Sequence, residues 1–150
     1  ASTLKVITNY LASINLLSLG EALMVCKKYG LDLTTAYHGI RISSGNSFVH
    51  ETESKVILNG SYDVGFTMDL VCKDVGLFDK LTKKFKIPAD ISKLMNKKFK
   101  EGLVKYGDRS LSTSIVKLLE DYCNENLRAK GFPSQLIDKK TSKKGYEIKF

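Results

Sequence analysis

A chain of 150 residues, 43% of them apolar and 27% charged, is long enough for one globular domain with a buried core. The formal net charge of +8 makes a polyanionic partner a candidate, although most of the surplus lysines stand at helical spacing in the second half, which is typical of a solvated face. The widely spaced Cys26, Cys72 and Cys123 form no zinc-type pair and no disulfide framework, which excludes a metal site of that kind and favours reduced thiols in the cytoplasm.

The spacing of apolar residues predicts helices separated by short loops, with strand-like alternation only in "YEIKF" at the C-terminus. The first helix is predicted from about Thr3 to Tyr29, and its apolar residues occupy several faces, so we expect a central helix surrounded by the others. Gly30 is expected to end it, and Asp32 to cap the next helix. The further helices are predicted from about Leu33 to Arg41, Phe48 to Leu58, Thr67 to Phe85, Pro88 to Tyr106 and Thr113 to Lys130.

The expected fold is therefore an all-α bundle of about six helices around a long N-terminal helix, over residues 1–130. Residues 131–150 are expected to form a loosely held, lysine-rich tail. No signal peptide is expected, and no membrane span, because six polar residues interrupt the apolar N-terminal run. They are Lys5, Asn9, Ser13, Asn15, Ser18 and Glu21.

Lys5 and Asn9 stand four residues apart and so project from the same face of the first helix. They have two interpretations. A lysine near a helix end commonly reaches solvent, and the asparagine can be bonded within the bundle. Alternatively, an ammonium held beside an amide at the edge of a cleft can act as a general acid or base when it is partly desolvated.

Two other stretches carry polar groups. The loop "SSGNS" could bind an anion through its backbone N–H groups, although serine- and glycine-rich loops are mostly turns. Lys73 beside Asp74 in "GFTMDLVCKD" is a pattern common on helix surfaces. His38 and His50 have no metal-ligand spacing, and we interpret both as structural or exposed.

Six segments, taken in order along residues 4–122, resemble the C-terminal domain of the β-hydroxyacid dehydrogenase family. The segments are "KVITN", "EAL", "KKYGLD", "SSGNS", "GFTMDLVCKD" and "IVKLLE". The family includes 3-hydroxyisobutyrate dehydrogenase and tartronate semialdehyde reductase. The resemblance implies the helical fold of the 6-phosphogluconate dehydrogenase C-terminal domain. It also implies that Lys5 is the catalytic lysine, which exchanges a proton with the reacting oxygen, and that Asn9 orients the substrate. Lys73 and Phe66 match residues near the nicotinamide end of the cofactor.

The resemblance further implies that Ser44 and Gly45 of the serine loop face the substrate, a small β-hydroxy acid or the matching semialdehyde. NAD or NADP would be bound mainly by an N-terminal Rossmann domain, which is absent from this chain, and the chain alone would be inactive. We expect a homo-oligomer in the cytoplasm, or in the mitochondrial matrix, with no membrane and no nucleic-acid partner. A lysine-rich nucleic-acid-binding module and a dimerisation domain without catalysis are the alternatives.

Overall fold

The structure, a computed structural model, describes residues 2–136, and within this range it is all α, as predicted. The six helices are α1 (Thr3–Tyr29), α2 (Leu33–Arg41), α3 (Phe48–Asn59), α4 (Met68–Lys84), α5 (Asp90–Tyr106) and α6 (Lys117–Cys123), and a short 3₁₀ helix (Ser112–Val116) precedes α6. One isolated antiparallel bridge, between Thr67 and Leu111, is the only β pairing in the described range. The strand-like "YEIKF" and most of the lysine-rich tail lie outside the described residues.

Local signals account for the first helix boundaries. Gly30 ends α1 in the left-handed conformation, with φ of 89°, which a residue with a Cβ adopts only at a cost. The carboxylate of Asp32 accepts a hydrogen bond from the Thr35 N–H at 2.8 Å and so caps α2. Both predictions are confirmed, because a cap depends only on residues a few positions away.

The last predicted helix is wrong in its second half, because α6 ends at Cys123 and not at Lys130. Asn124 takes the left-handed conformation, with φ of 50°, and turns the chain out of the helix. The segment that follows is held by hydrogen bonds to α6 and α3: the Leu127 N–H donates to the Glu120 carboxylate at 2.8 Å, and the Ala129 N–H donates to the Leu58 carbonyl at 3.0 Å. Tertiary hydrogen bonds have replaced the helical ones.

Helix α1 contacts every other helix, which confirms its central position. Its most deeply buried leucines are Leu16, Leu19 and Leu23, whereas the leucines on the opposite side near its start are half exposed. Gly20 allows the 3₁₀ helix to approach closely, since a Cβ there would meet a Val116 methyl at 3.2 Å. Within the described residues, α1 alone is long and apolar enough to cross a membrane, a test that core helices also pass.

The core between α1, α4 and α5 is built from residues one helical turn apart. Met95 and Phe99 of α5 are fully buried, and Val71 and Val75 of α4 nearly so. The apolar spacing of this segment predicts Ile91 and Leu94 on the inner face of α5 as well, and this prediction is wrong, because both are 58% exposed. The buried face of α5 is therefore narrower than the set of apolar residues in its sequence, because only the side that carries Met95 and Phe99 packs against the neighbouring helices.

Candidate active site

A cavity of about 290 Å³ lies beside the first half of α1. Lys5 and Asn9 border it together with Ala12, Ser13 and Leu16, a spacing that places all five on one face of the helix. The other walls come from α3, α4 and α5, from the loop before α4, and from the first residue of the 3₁₀ helix. They contribute Glu53, Val64, Phe66, Val71, Asp74, Phe99 and Ser112.

Asn9 is held by a contact between α1 and α4. Its amide Nδ2 donates to Asp74 Oδ2 at 2.6 Å, which leaves one amide hydrogen and the amide oxygen of Asn9 for other partners. Beside this hydrogen bond the rings of Tyr10 and Phe78 stack with their centroids 3.8 Å apart and their planes 2° from parallel. The asparagine is therefore fixed relative to α4.

Lys5 lies at the rim of the same cavity and its side chain is exposed. The sequence suggested a partly desolvated lysine, but the described residues leave this one in contact with solvent. No described carboxylate lies within ion-pairing distance of its ammonium. The ammonium is consequently free to meet a molecule that enters the cavity.

Phe66 and Lys73 are separated by the structure. Phe66 is half buried in the cavity wall, where its carbonyl accepts a hydrogen bond from the Ser112 N–H at 2.8 Å. Lys73 is exposed on α4 and is not among the residues that line the cavity, whereas the neighbouring Asp74 is. Sequence reasoning chose the lysine of this pair, but the carboxylate is the member that contacts Asn9.

Ser44 and Gly45 are exposed and border a different cavity, of about 410 Å³, between the serine loop and the second half of α1. On α1 this cavity reaches Asn15 and Ser18, whereas the first reaches Lys5 and Asn9. At 1.5 Å of rise per residue, Asn9 and Ser18 are about 14 Å apart along the helix. The structure therefore does not bring the serine loop into the cavity of Lys5.

Glu53 of α3 borders the Lys5 cavity, and sequence reasoning missed it. In "HETESK" it reads as one charge of a solvated face, but it stands four residues after Val49 and three before Val56, both buried. This helical spacing places it on the apolar stripe of α3 and was the available signal. Burial raises the pKa of the Glu53 carboxyl from 4.5 to about 7.

The family model described as "NAD-binding of NADP-dependent 3-hydroxyisobutyrate dehydrogenase" matches residues 1–119, and its match includes the α1 and α4 walls of the cavity. The chain belongs to this family. The predicted resemblance to the β-hydroxyacid dehydrogenases is thus confirmed, and NAD(P) is the cofactor at the level of the family.

Curated relatives within the β-hydroxyacid dehydrogenases include 2-(hydroxymethyl)glutarate dehydrogenase of Eubacterium barkeri, 32% identical over 77% of this chain and 39% of the relative. L-threonate dehydrogenase of Haemophilus influenzae is 26% identical over 78% of this chain and 39% of the relative. The chain therefore spans about two fifths of the length of these relatives.

Solved structures of the family show the same fold. The 3-hydroxyisobutyrate dehydrogenase of Salmonella typhimurium superposes with a TM-score of 0.71, at 24% identity, over 78% of this chain and 41% of the other. The enzyme of Mycobacterium tuberculosis, solved with L-serine, gives a TM-score of 0.70 at 20% identity, over 77% of this chain and 42% of the other.

Proposed function

We propose that this chain is the helical, substrate-binding part of an NAD(P)-dependent dehydrogenase of small β-hydroxy acids. The observation that carries the proposal is the shared cavity: Lys5 and Asn9, four residues apart on α1, border one space together with Asp74 and Phe66. Family membership supports the reaction class, because the curated relatives bear the names of hydroxy acid dehydrogenases.

In this proposal Lys5 exchanges a proton with the oxygen of the reacting carbon, because oxidation of an alcohol releases a hydroxyl proton that a nearby base must accept. Asn9, held by Asp74, orients the substrate through its remaining amide groups. When bound, NAD(P)⁺ supplies the hydride acceptor for the reaction. Helix α1 keeps the two residues in a constant relation, since it is anchored along its length by the other helices.

In this proposal the nicotinamide end of the cofactor lies against the apolar side of the cavity. Val64, Phe66 and Val71 provide an apolar wall that suits a flat ring, whereas Lys73, on the same helix as Val71, is exposed outside the cavity. Residues 2–136 contain no strand, and so no Gly-rich strand–turn–helix that binds pyrophosphate. Most of the dinucleotide would thus be bound by a Rossmann domain outside the described residues.

The role of Lys5 is tested in the full-length protein by steady-state turnover with a panel of 3-hydroxyisobutyrate, L-threonate and 2-(hydroxymethyl)glutarate. We expect Lys5→Ala to lower kcat by about 10²- to 10⁴-fold, because a positioned general acid or base contributes roughly that much. Lys5→Arg should be similarly slow, since an arginine retains the charge but does not release its proton in proteins.

Lys27→Ala is the matched control, since it removes a lysine from the same helix about 33 Å further along. It should leave kcat within a factor of about two. If Lys5→Ala also stays within a few-fold of the wild-type protein, or if Lys5→Arg restores full turnover, Lys5 does not transfer the proton.

Neither alternative function receives comparable support. A dimerisation domain without catalysis would be favoured by Lys5 and Asn9 packed away from any cleft, and both border the cavity. A nucleic-acid surface would need its lysines unpaired on one face. Lys83 and Lys98 instead approach Asp79 and Glu101, at 2.7 and 3.3 Å.

A further inference from the structure

Glu53 differs from the other polar residues that line the Lys5 cavity in having a buried acceptor without a partner. Its Oε2 is shielded from solvent and has no hydrogen-bond partner within the described part of the chain. By contrast, Asp74 accepts from Asn9 at 2.6 Å, and the Ser13 hydroxyl donates to the Asn9 carbonyl at 2.8 Å. An unpartnered buried carboxylate oxygen is unfavourable in a folded protein unless a ligand completes it.

The charges around the cavity restrict what that ligand can be. Among the described residues, Lys5 is the only basic side chain that borders it, and Asp74 and Glu53 are both acidic. A second substrate carboxylate near Glu53 would meet a like charge in a poorly solvated space. A hydroxyl or ammonium group in the same place would donate a hydrogen bond to the Glu53 carboxylate.

We propose that Glu53 determines substrate specificity, by accepting a hydrogen bond from a hydroxyl or ammonium group on the part of the substrate away from the reacting carbon. The preferred substrate is then a hydroxy acid with one carboxylate and a further hydrogen-bond donor, rather than a dicarboxylate. This inference rests on the proposed function, because it takes the Lys5 cavity to be the substrate site.

Two properties of Glu53 support the assignment. It comes from α3, whereas Lys5 and Asn9 come from α1, so the cavity presents polar groups from two different helices to one bound molecule. Burial raises the pKa of its carboxyl to about 7, so above neutral pH the group is the charged acceptor that the proposal requires. A site that hydrogen-bonds a substrate group discriminates strongly against an analogue that lacks it.

The test compares binding of L-threonate, which has one carboxylate and several hydroxyls, with binding of 2-(hydroxymethyl)glutarate, which has two carboxylates. Dissociation constants are measured by calorimetry on the full-length protein with the reduced cofactor. The reduced cofactor cannot accept a hydride from a hydroxy acid, so no turnover disturbs the measurement. With Glu53 present, L-threonate should bind about 10- to 100-fold more tightly than the dicarboxylate.

Glu53→Leu should weaken binding of L-threonate by at least about tenfold, and should leave or improve binding of the dicarboxylate. Glu53→Gln should have a smaller effect on L-threonate, because the amide retains an acceptor oxygen, and should improve binding of the dicarboxylate, because the amide also donates. Both variants remove a buried carboxyl, so we expect them to fold. Glu51→Gln, on the same helix but outside the cavity, is the matched control and should leave the ratio unchanged.

The inference is overturned if Glu53→Leu leaves the ratio of the two dissociation constants within twofold of that of the parent. This result is distinguishable from failure of the proposed function. The role of Lys5 is read from turnover of Lys5 variants, whereas the role of Glu53 is read from binding ratios, without turnover, in proteins that all retain Lys5.

Discussion

Two buried glutamates, Glu120 and Glu53, show opposite ways in which this chain handles a carboxylate away from water. Glu120 of α6 is 5% exposed and accepts hydrogen bonds from the Tyr62 hydroxyl, the Leu127 N–H at 2.8 Å and the Arg128 guanidinium at 2.9 Å. Glu53 of α3 has an oxygen with no partner within residues 2–136.

The difference indicates a structural carboxylate in the first case and supports the proposed ligand-binding role in the second. The Glu120 network is closed, because the Arg128 guanidinium also donates to the Tyr62 hydroxyl at 2.8 Å and so joins all three side chains. It attaches the irregular segment after α6 to the rest of the bundle. The Oε2 atom of Glu53 makes no hydrogen bond that would stabilise the fold, and so the proposed contact with a bound substrate better explains a glutamate at this position.

Breaking the closed network should produce the largest effect on stability. Glu120→Ala leaves the buried Leu127 N–H and the Tyr62 hydroxyl without their acceptor, and we expect it to lower the free energy of unfolding by about 4 kcal/mol. Urea denaturation of the chain measures this change. Asp121→Ala, at the exposed neighbouring position, is the control and should lower the free energy of unfolding by less than about 1 kcal/mol. Equal costs for the two variants would show that the network is not a major source of stability.

Removing the open carboxylate should have the opposite sign and depend on pH. Because burial raises the pKa of Glu53 from 4.5 to about 7, the contribution of this group is fully present below about pH 4.5 and is lost as the pH rises to about 7. Glu53→Gln abolishes that loss. It should leave the free energy of unfolding nearly unchanged at pH 4 and raise it by up to about 3 kcal/mol at pH 8.

Urea denaturation at the two pH values checks the prediction for Glu53. Glu51→Gln serves as the control, since Glu51 is partly exposed and approaches Arg41 only at 3.8 Å. It should change stability by less than about 1 kcal/mol at either pH. A Glu53→Gln variant less stable than the wild-type chain at pH 8 would mean that the carboxylate is satisfied in the folded state.

A finer change separates the tyrosine from the ion pair in the closed network. Tyr62→Phe removes only the hydroxyl that joins Glu120 to Arg128, and we expect a loss of about 1–2 kcal/mol in the free energy of unfolding. Burial and the hydrogen bond to Glu120 hold the pKa of Tyr62 above its ordinary value, so its hydroxyl stays protonated at neutral pH. Tyr122→Phe, at a position 91% exposed, is the matched control and should be neutral.

The first five helices were predictable to within about two residues because their ends depend on local chemistry. Gly30 and the Asp32 cap act over one helical turn, and such signals are complete in the sequence. The end of α6 was not predictable, because it depends on the hydrogen bonds of Leu127 to the Glu120 side chain and of Ala129 to the Leu58 carbonyl of α3.

The candidate site divides in the same way. The pairing of Lys5 with Asn9 on one face follows from their spacing of four residues, and the family resemblance pointed to their roles. The sequence did not predict that Asp74 and Glu53 face Lys5 and Asn9. These two acids come from other helices, whose rotation about their own axes is set by packing. The resemblance implied that the serine loop faces the substrate, and the structure shows it bordering a second cavity further along α1.

The sequence by itself therefore determined the helices, the central position of α1 and the family, since these depend on local periodicity, on capping and on an ordered set of motifs. Tertiary structure alone decided that the carboxylate of Glu120 is fully hydrogen-bonded in a network, whereas Glu53 borders the cavity. A glutamate has the same charge and helix propensity on any face, and only the packing of one helix against another establishes whether its carboxylate finds a partner.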